Sequence, residues 1–260
     1  MSAVTDFPHT ITLDRDGAVG RLRFGSEHPA NVFTLPMLRE LAGHVDELEQ
    51  PGELRVLVIE GRADTFSGGA DLQSILDMDE AAYVEYVETE YRLFRAIETL
   101  PLPTVAVLRG SCVGNAAEIA LACDFRVAAE TCRIGWPEIN VGFFAPSQRL
   151  ARFVGIGQAK EILFGGRLLK AARAKELGLL TTVVAEDELD AATGKLVTEL
   201  ASRAPIAMRL TKAGIERSYG FPAENPGLEV RAAAQSYATE DLREGAAAIL
   251  ARRPPSFHGR

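Results

Sequence analysis

Two glutamates set among apolar and small side chains, Glu118 and Glu138, are the residues of this chain best suited to chemistry. Glu118 lies in Gly114-Asn115-Ala116-Ala117-Glu118-Ile119-Ala120-Leu121. A carboxylate in such company must pair, face a cavity or hold its proton. A poised carboxyl is what general acid–base catalysis uses. The alternatives for Glu118 are a solvent-facing position or a structural ion pair. Glu138 follows a proline that fixes the local backbone, in Trp136-Pro137-Glu138-Ile139. Its alternative is a surface-loop carboxylate, the commoner place for the residue type.

Two loops offer the complementary chemistry. Ser67-Gly68-Gly69-Ala70 follows the apolar run Arg55–Glu60 and precedes Asp71-Leu72. Small residues let a backbone approach a ligand closely, and a helix starting near Asp71 would leave free N–H groups at the loop. That is a place for developing negative charge, such as an oxyanion. The alternative is an ordinary Gly-Gly turn with Asp71 as N-cap. The stretch from Arg109 to Asp124 repeats the logic of buried strand, small-residue loop and helix N-terminus.

Other chemistries find little support. His9, His28, His44 and His258 all lie outside these segments, and no Gly-x-Ser-x-Gly elbow supports Ser67 or Ser111 as a nucleophile. Cys112, Cys123 and Cys132 are odd in number and lack a CxxC spacing, so neither a disulfide framework nor a metal site is expected. A formal charge of −8 argues against nucleic acid or an anionic membrane as partner. The start, MSAVTDFPHT, lacks the pattern of a secretory signal, and no apolar run is long enough to span a bilayer. With no peroxisomal or retention tripeptide at the end, a cytoplasmic location is the expectation.

The elements that must position these residues alternate. Strands are expected at Thr10 to Leu13, Val19 to Phe24, Arg55 to Glu60, Thr104 to Leu108, Phe125 to Ala129 and Thr181 to Val184. Helices are expected from Phe33 to a stop at Pro51-Gly52, and at Glu80 to Leu100, Ala116 to Ala122, Gly157 to Phe164 and Ala171 to Leu177. On the second of these, Tyr83, Val87, Tyr91, Phe94 and Ile97 form an apolar stripe. The remainder reads as helix alone: Asp187 to Ser202, Pro205 to Glu216 and Leu228 to Ala251. This is an α/β chain with a helical extension, one domain divided as a core of residues 1–195 and a helical region of 196–260.

Taken together, the segments resemble the enoyl-CoA hydratase/isomerase family, the crotonase superfamily. FSGGADL is similar to the family's F-x-x-G-A-D-L/I, Gly110 to Asp124 to its G-x-x-x-G-G-G-x-E-L-x-x-x-C-D, and WPEINVG to its P-E-x-x-x-G. The tail EGAAAILARRPPSFHGR is similar to the family's terminus. The resemblance implies a crotonase-like spiral of repeated β-β-α units, with a C-terminal helical region used in trimerisation, as a homotrimer or a dimer of trimers. It implies an acyl-CoA thioester substrate and no separate cofactor, coenzyme A being part of the substrate. It implies the N–H groups of Ala70 and Asn115 as oxyanion hole. In the hydratase pattern Glu138 protonates the α-carbon while Glu118 takes a proton from water. Gly68, Asp71, Leu72, Gly114, Phe143 and Phe144 would contact substrate, and Arg252 would lie near a CoA phosphate.

The chain departs from the pattern in two loops. The family's glycine triplet reads Gly114-Asn115-Ala116, so the Asn115 side chain enters space near the thioester or makes a new hydrogen bond. The stretch Gly142-Phe143-Phe144-Ala145-Pro146-Ser147-Gln148-Arg149-Leu150 is bulkier and shorter than the family's, which reshapes the acyl pocket. Hydration or dehydration of an enoyl-CoA is the leading expectation. Other enolate reactions, such as isomerisation, decarboxylation or C–C cleavage, come next. A non-catalytic scaffold or RNA-binding role comes last.

Overall fold

A computed structural model describes residues 8–50, 52–218, 230, 231, 233, 234 and 237–256. The tail beyond residue 256, with His258, lies outside the described residues, as do Pro51 and parts of the helix expected from Leu228.

The apolar runs fold as β1 (His9–Asp16), β2 (Val19–Ser26), β3 (Val56–Glu60), β4 (Thr104–Leu108), β6 (Phe125–Ala129) and β9 (Thr182–Val184). They form one six-stranded sheet in the order β1-β2-β3-β4-β6-β9. Only β1 and β2 pair antiparallel; every later pair in this sheet is parallel. β3 and β4 read as unbroken apolar runs because both of their faces are buried. A second sheet crosses the chain in short rungs, β5 (Ser111–Val113), β7 (Arg133–Gly135) and β8 (Leu168–Lys170). Isolated bridges Phe33–Ala70 and Ser67–Cys112 extend the stack. Each winding therefore runs from a strand of the large sheet to a rung of the small one and on to a helix. This is the expected spiral of β-β-α units.

The helices are α1 (Leu35–Asp46), α2 (Leu72–Leu76), α3 (Glu80–Thr99), α4 (Asn115–Ala122), α5 (Gln148–Val154), α6 (Ile156–Gly165), α7 (Ala171–Glu176), α8 (Leu189–Ala201), α9 (Pro205–Ser218) and α10 (Glu240–Leu250). Residue 195, the expected limit of the core, lies within α8. The single helix expected from Leu228 to Ala251 is interrupted: Thr239 has extended backbone, and its side chain caps α10 by accepting from Leu242 N. Leu38, Leu41, Ala42 and Val45 of α1 are buried against α3, whose Phe94 and Ile97 are buried in turn. No described helix is long and apolar enough to cross a membrane.

Candidate active site

The loop after β3 is placed by the stacked rungs. Gly68 N donates to Ala30 O at 2.7 Å, Phe33 N to Gly69 O at 2.8 Å, and Asp71 N to Phe33 O at 3.0 Å. These bonds leave Ala70 N between two tied residues, and among the described residues it meets no protein acceptor. Asp71 caps α2, accepting from Gln73 N at 3.2 Å and from Ser74 Oγ at 2.5 Å. The N-cap reading and the free N–H reading of this loop thus hold together.

The second loop closes on the first. Gly114 has φ 60° and ψ −125° and precedes the first residue of α4. That backbone suits only glycine well. Asn115 N, at the first position of the helix, meets no protein acceptor among the described residues. A Cβ on Gly69 would lie 2.8 Å from Val113 O and 3.6 Å from Asn115 Oδ1, so the two loops are in contact. A Cβ on Gly114 would lie 3.1 Å from Glu138 Oε1. The absent side chain is what admits the glutamate beside the loop.

These parts line one cavity of about 370 Å³, within the range of small-molecule sites. Of the residues singled out from the sequence, Gly68, Ala70, Asp71, Leu72, Gly114, Asn115, Glu138, Phe143 and Phe144 line it. Its walls are mainly apolar. Glu138 comes from a short 3-10 turn, Glu138–Val141, and its Oε2 is buried with no hydrogen-bond partner. Burial first, then the nearby charges of Glu118 and Glu90, push its carboxyl up to about 8.

Two residues stand apart from the cavity. Glu118 is 1% exposed, does not line the cavity and is held in a polar knot. Trp136 Nε1 donates to its Oε1 at 2.8 Å, and Arg149 Nη1 to its Oε2 at 2.6 Å. Arg149 lies over the ring of Phe94 and pairs more loosely with Glu98, at 3.5 Å. Arg252 follows α10 as an exposed residue with φ 53°, and it does not reach the cavity that Ile249 and Leu250 line.

The cavity also holds groups that sequence reasoning missed. Glu90, on α3, lines it and is 8% exposed. Asn115 Nδ2 donates to Glu90 Oε1 at 2.6 Å and to Tyr86 Oη at 3.0 Å. Burial pushes Glu90 up to about 8, against the opposing pull of its bonds with Asn115 and Tyr86. Tyr86 and Tyr83 are likewise pushed up by burial and by the charge of Glu90. The signal was present in outline, because Glu90 falls seven positions after Tyr83, on the buried face of the helix. His28 lines the cavity as well.

A pair of free N–H groups beside a protonatable carboxyl can hold an enolate oxygen and exchange a proton at the neighbouring carbon. Known proteins resemble this chain in sequence and in shape. The chain matches the enoyl-CoA hydratase/isomerase family over residues 14–260. It is 28% identical to a short-chain-enoyl-CoA hydratase of Clostridium acetobutylicum, covering 94% of this chain and 96% of that one. It is 35% identical to the mouse mitochondrial enoyl-CoA hydratase domain-containing protein 2, covering 88% and 79%. The crystal structure of an enoyl-CoA hydratase from Mycobacterium avium subsp. paratuberculosis superposes with a TM-score of 0.86 at 26% identity, covering 95% and 97%. Spiral fold, paired loops and a match spanning the chain make this protein a member of the enoyl-CoA hydratase/isomerase family, the crotonase superfamily.

Proposed function

We propose that this chain is an acyl-CoA lyase that adds water to, or removes it from, the 2,3 double bond of an enoyl-CoA through an enolate. The observation that carries the reading is the placement of Glu138 against Gly114, one residue from the free N–H of Asn115 and in the same cavity as Ala70. The thioester oxygen would accept from Ala70 N and Asn115 N. Both donors gain strength as charge moves onto that oxygen, each lowering the barrier by about 3 kcal/mol. Glu138, holding its proton at neutral pH, delivers it to the α-carbon. No cofactor is needed beyond the coenzyme A carried by the substrate. Gly68 and Leu72 line the entry for the thioester arm, and Phe143 and Phe144 shape the acyl end.

Arg252 would meet a CoA phosphate from a neighbouring subunit, in a homotrimer or a dimer of trimers. Ile206, Leu210 and Ile215, exposed on α9, support such an assembly. A cytoplasmic location fits the charge and composition.

One observation favours a second reading. With Glu118 engaged by Trp136 and Arg149, a single glutamate, Glu138, could shuttle a proton and move a double bond. The test is incubation with a panel of short 2-enoyl- and 3-enoyl-CoAs, followed by enoyl absorbance and product mass. Gain of one water supports the lyase. Migration of the double bond with no change in mass overturns it in favour of the isomerase.

A further inference from the structure

Hydration needs two proton movers, and the enolate reading assigns only Glu138. Glu118 is a poor second. Both its oxygens already accept from buried donors, and its side chain does not reach the cavity. Glu90 does reach it, from α3. Consecutive residues at the start of α4 tie the two carboxyls to one frame. Gly114 abuts Glu138, and Asn115 bonds to Glu90.

The surroundings of the two carboxyls differ in a way that suits opposite roles. Glu90 accepts from the Asn115 amide at 2.6 Å and sits against the Tyr86 hydroxyl, and donors favour an ionised carboxylate. Glu138 Oε2 is buried with no donor, which favours a retained proton. Two like groups in one apolar cavity share a proton over a range of pH, and the donors decide which keeps it. The groups facing Glu90 are Tyr83 and Tyr86 from its own helix, Asn115 and Glu118 from α4, and Glu138 from the turn.

We propose that Glu90 is the second catalytic carboxyl, taking the proton of the water that adds to the acyl chain, and that Glu118 is a positioning residue holding α4 through Trp136 and Arg149. This rests on the enolate reading above. In the step, a water O–H bond breaks and its proton goes to the Glu90 carboxylate. The water oxygen bonds to C3, and the C2=C3 pair shifts toward C1 to give the enolate oxygen. The enolate collapses as C2 takes the proton of Glu138. Glu90 ends protonated and Glu138 ionised, and solvent exchange restores both.

The full chain, unaltered and as Glu90→Gln and Glu90→Asp, tests this. At a pH near 8, where part of Glu138 is ionised and can take a proton, unaltered protein should exchange the C2 proton of a saturated short acyl-CoA in deuterated water, a reaction that needs only the oxyanion hole and Glu138. Glu90→Gln should keep that exchange and keep saturated acyl-CoA binding, yet hydrate a short 2-enoyl-CoA at least about 100-fold more slowly. Its residual rate should lose the acid limb of the pH profile, because that limb reports ionisation of Glu90. Glu90→Asp, which restores a carboxylate, should recover part of the rate. Hydration by Glu90→Gln within about threefold of the unaltered protein overturns the proposal alone. Absence of C2 exchange in the unaltered protein overturns the enolate reading, and the proposal with it.

Discussion

Arg149 Nη1 donates to Glu118 Oε2 at 2.6 Å, and both side chains are 1% exposed. A carboxylate buried this far is stable only while its partner stays. Arg149→Leu strands the charge, and unfolding in denaturant should show a loss of about 3 to 5 kcal/mol. Removing both, in Glu118→Leu with Arg149→Leu, should cost clearly less than the two single changes added together. Additive losses would show that the pair is not coupled.

Glu138→Gln keeps the shape of the side chain and removes its proton chemistry. The rate of hydration should fall by about 100-fold or more while acyl-CoA binding holds. The same variant has a stability signature. In the fold this carboxyl is pushed up to about 8, whereas in the unfolded chain it titrates near the usual 4.5. Between those values the folded state binds more protons, so stability is full below the lower value and declines as pH rises through about 8. Gln cannot ionise, so the variant should outlast the unaltered protein at high pH, by at most about 5 kcal/mol at about 1.4 kcal/mol per pKa unit. Parallel pH–stability curves for the two proteins would contradict this.

Much of the frame was legible from the residues. Apolar runs such as Val56–Glu60 and Thr104–Leu108 announce buried strands, and the two glycine-rich loops announce helix starts. The rungs β5, β7 and β8 did not show, because three residues carry no usable periodicity and are held by the rungs beside them. The partner of Glu118 was hidden for a different reason. Arg149 is 31 positions away, so no local pattern joins them. Glu90 was overlooked because the aromatic stripe around it reads as plain core, and only tertiary contact shows that this stripe borders a cavity.

Asn115 departs from the family's glycine and therefore makes a separable prediction. Asn115→Ala keeps the backbone N–H but deletes the donor to Glu90 and Tyr86. Loss of that donor disfavours the ionised form, so the carboxyl at about 8 moves higher still. The acid limb of the hydration profile should shift toward higher pH, with binding of a saturated acyl-CoA little changed. An unshifted limb would disconnect Asn115 from the reaction.

Gly114→Ala tests the fit of loop against glutamate. A methyl there meets Glu138 Oε1 at 3.1 Å, on a backbone with φ 60°. The strain should cost about 1 to 3 kcal/mol of stability. Displacing the carboxyl should lower kcat well beyond that, by about 100-fold, since small misplacements at a reacting centre are expensive. Wild-type kcat in a stably folded Gly114→Ala would mean that Glu138 moves freely.

The turn bearing Glu138 is braced by a helix made much later. A Cβ on Gly245 would fall 2.3 Å from Val141 O, and one on Gly142 would fall 2.9 Å from Asp241 O, so backbone lies directly on backbone. The two partners are separated by about a hundred positions in the chain. A ribosome that has already released every winding of the spiral has therefore not yet supplied the seat of its proton donor. The seat of the proton donor is complete only with α10 in place, so the site depends on residues made after the whole of the spiral.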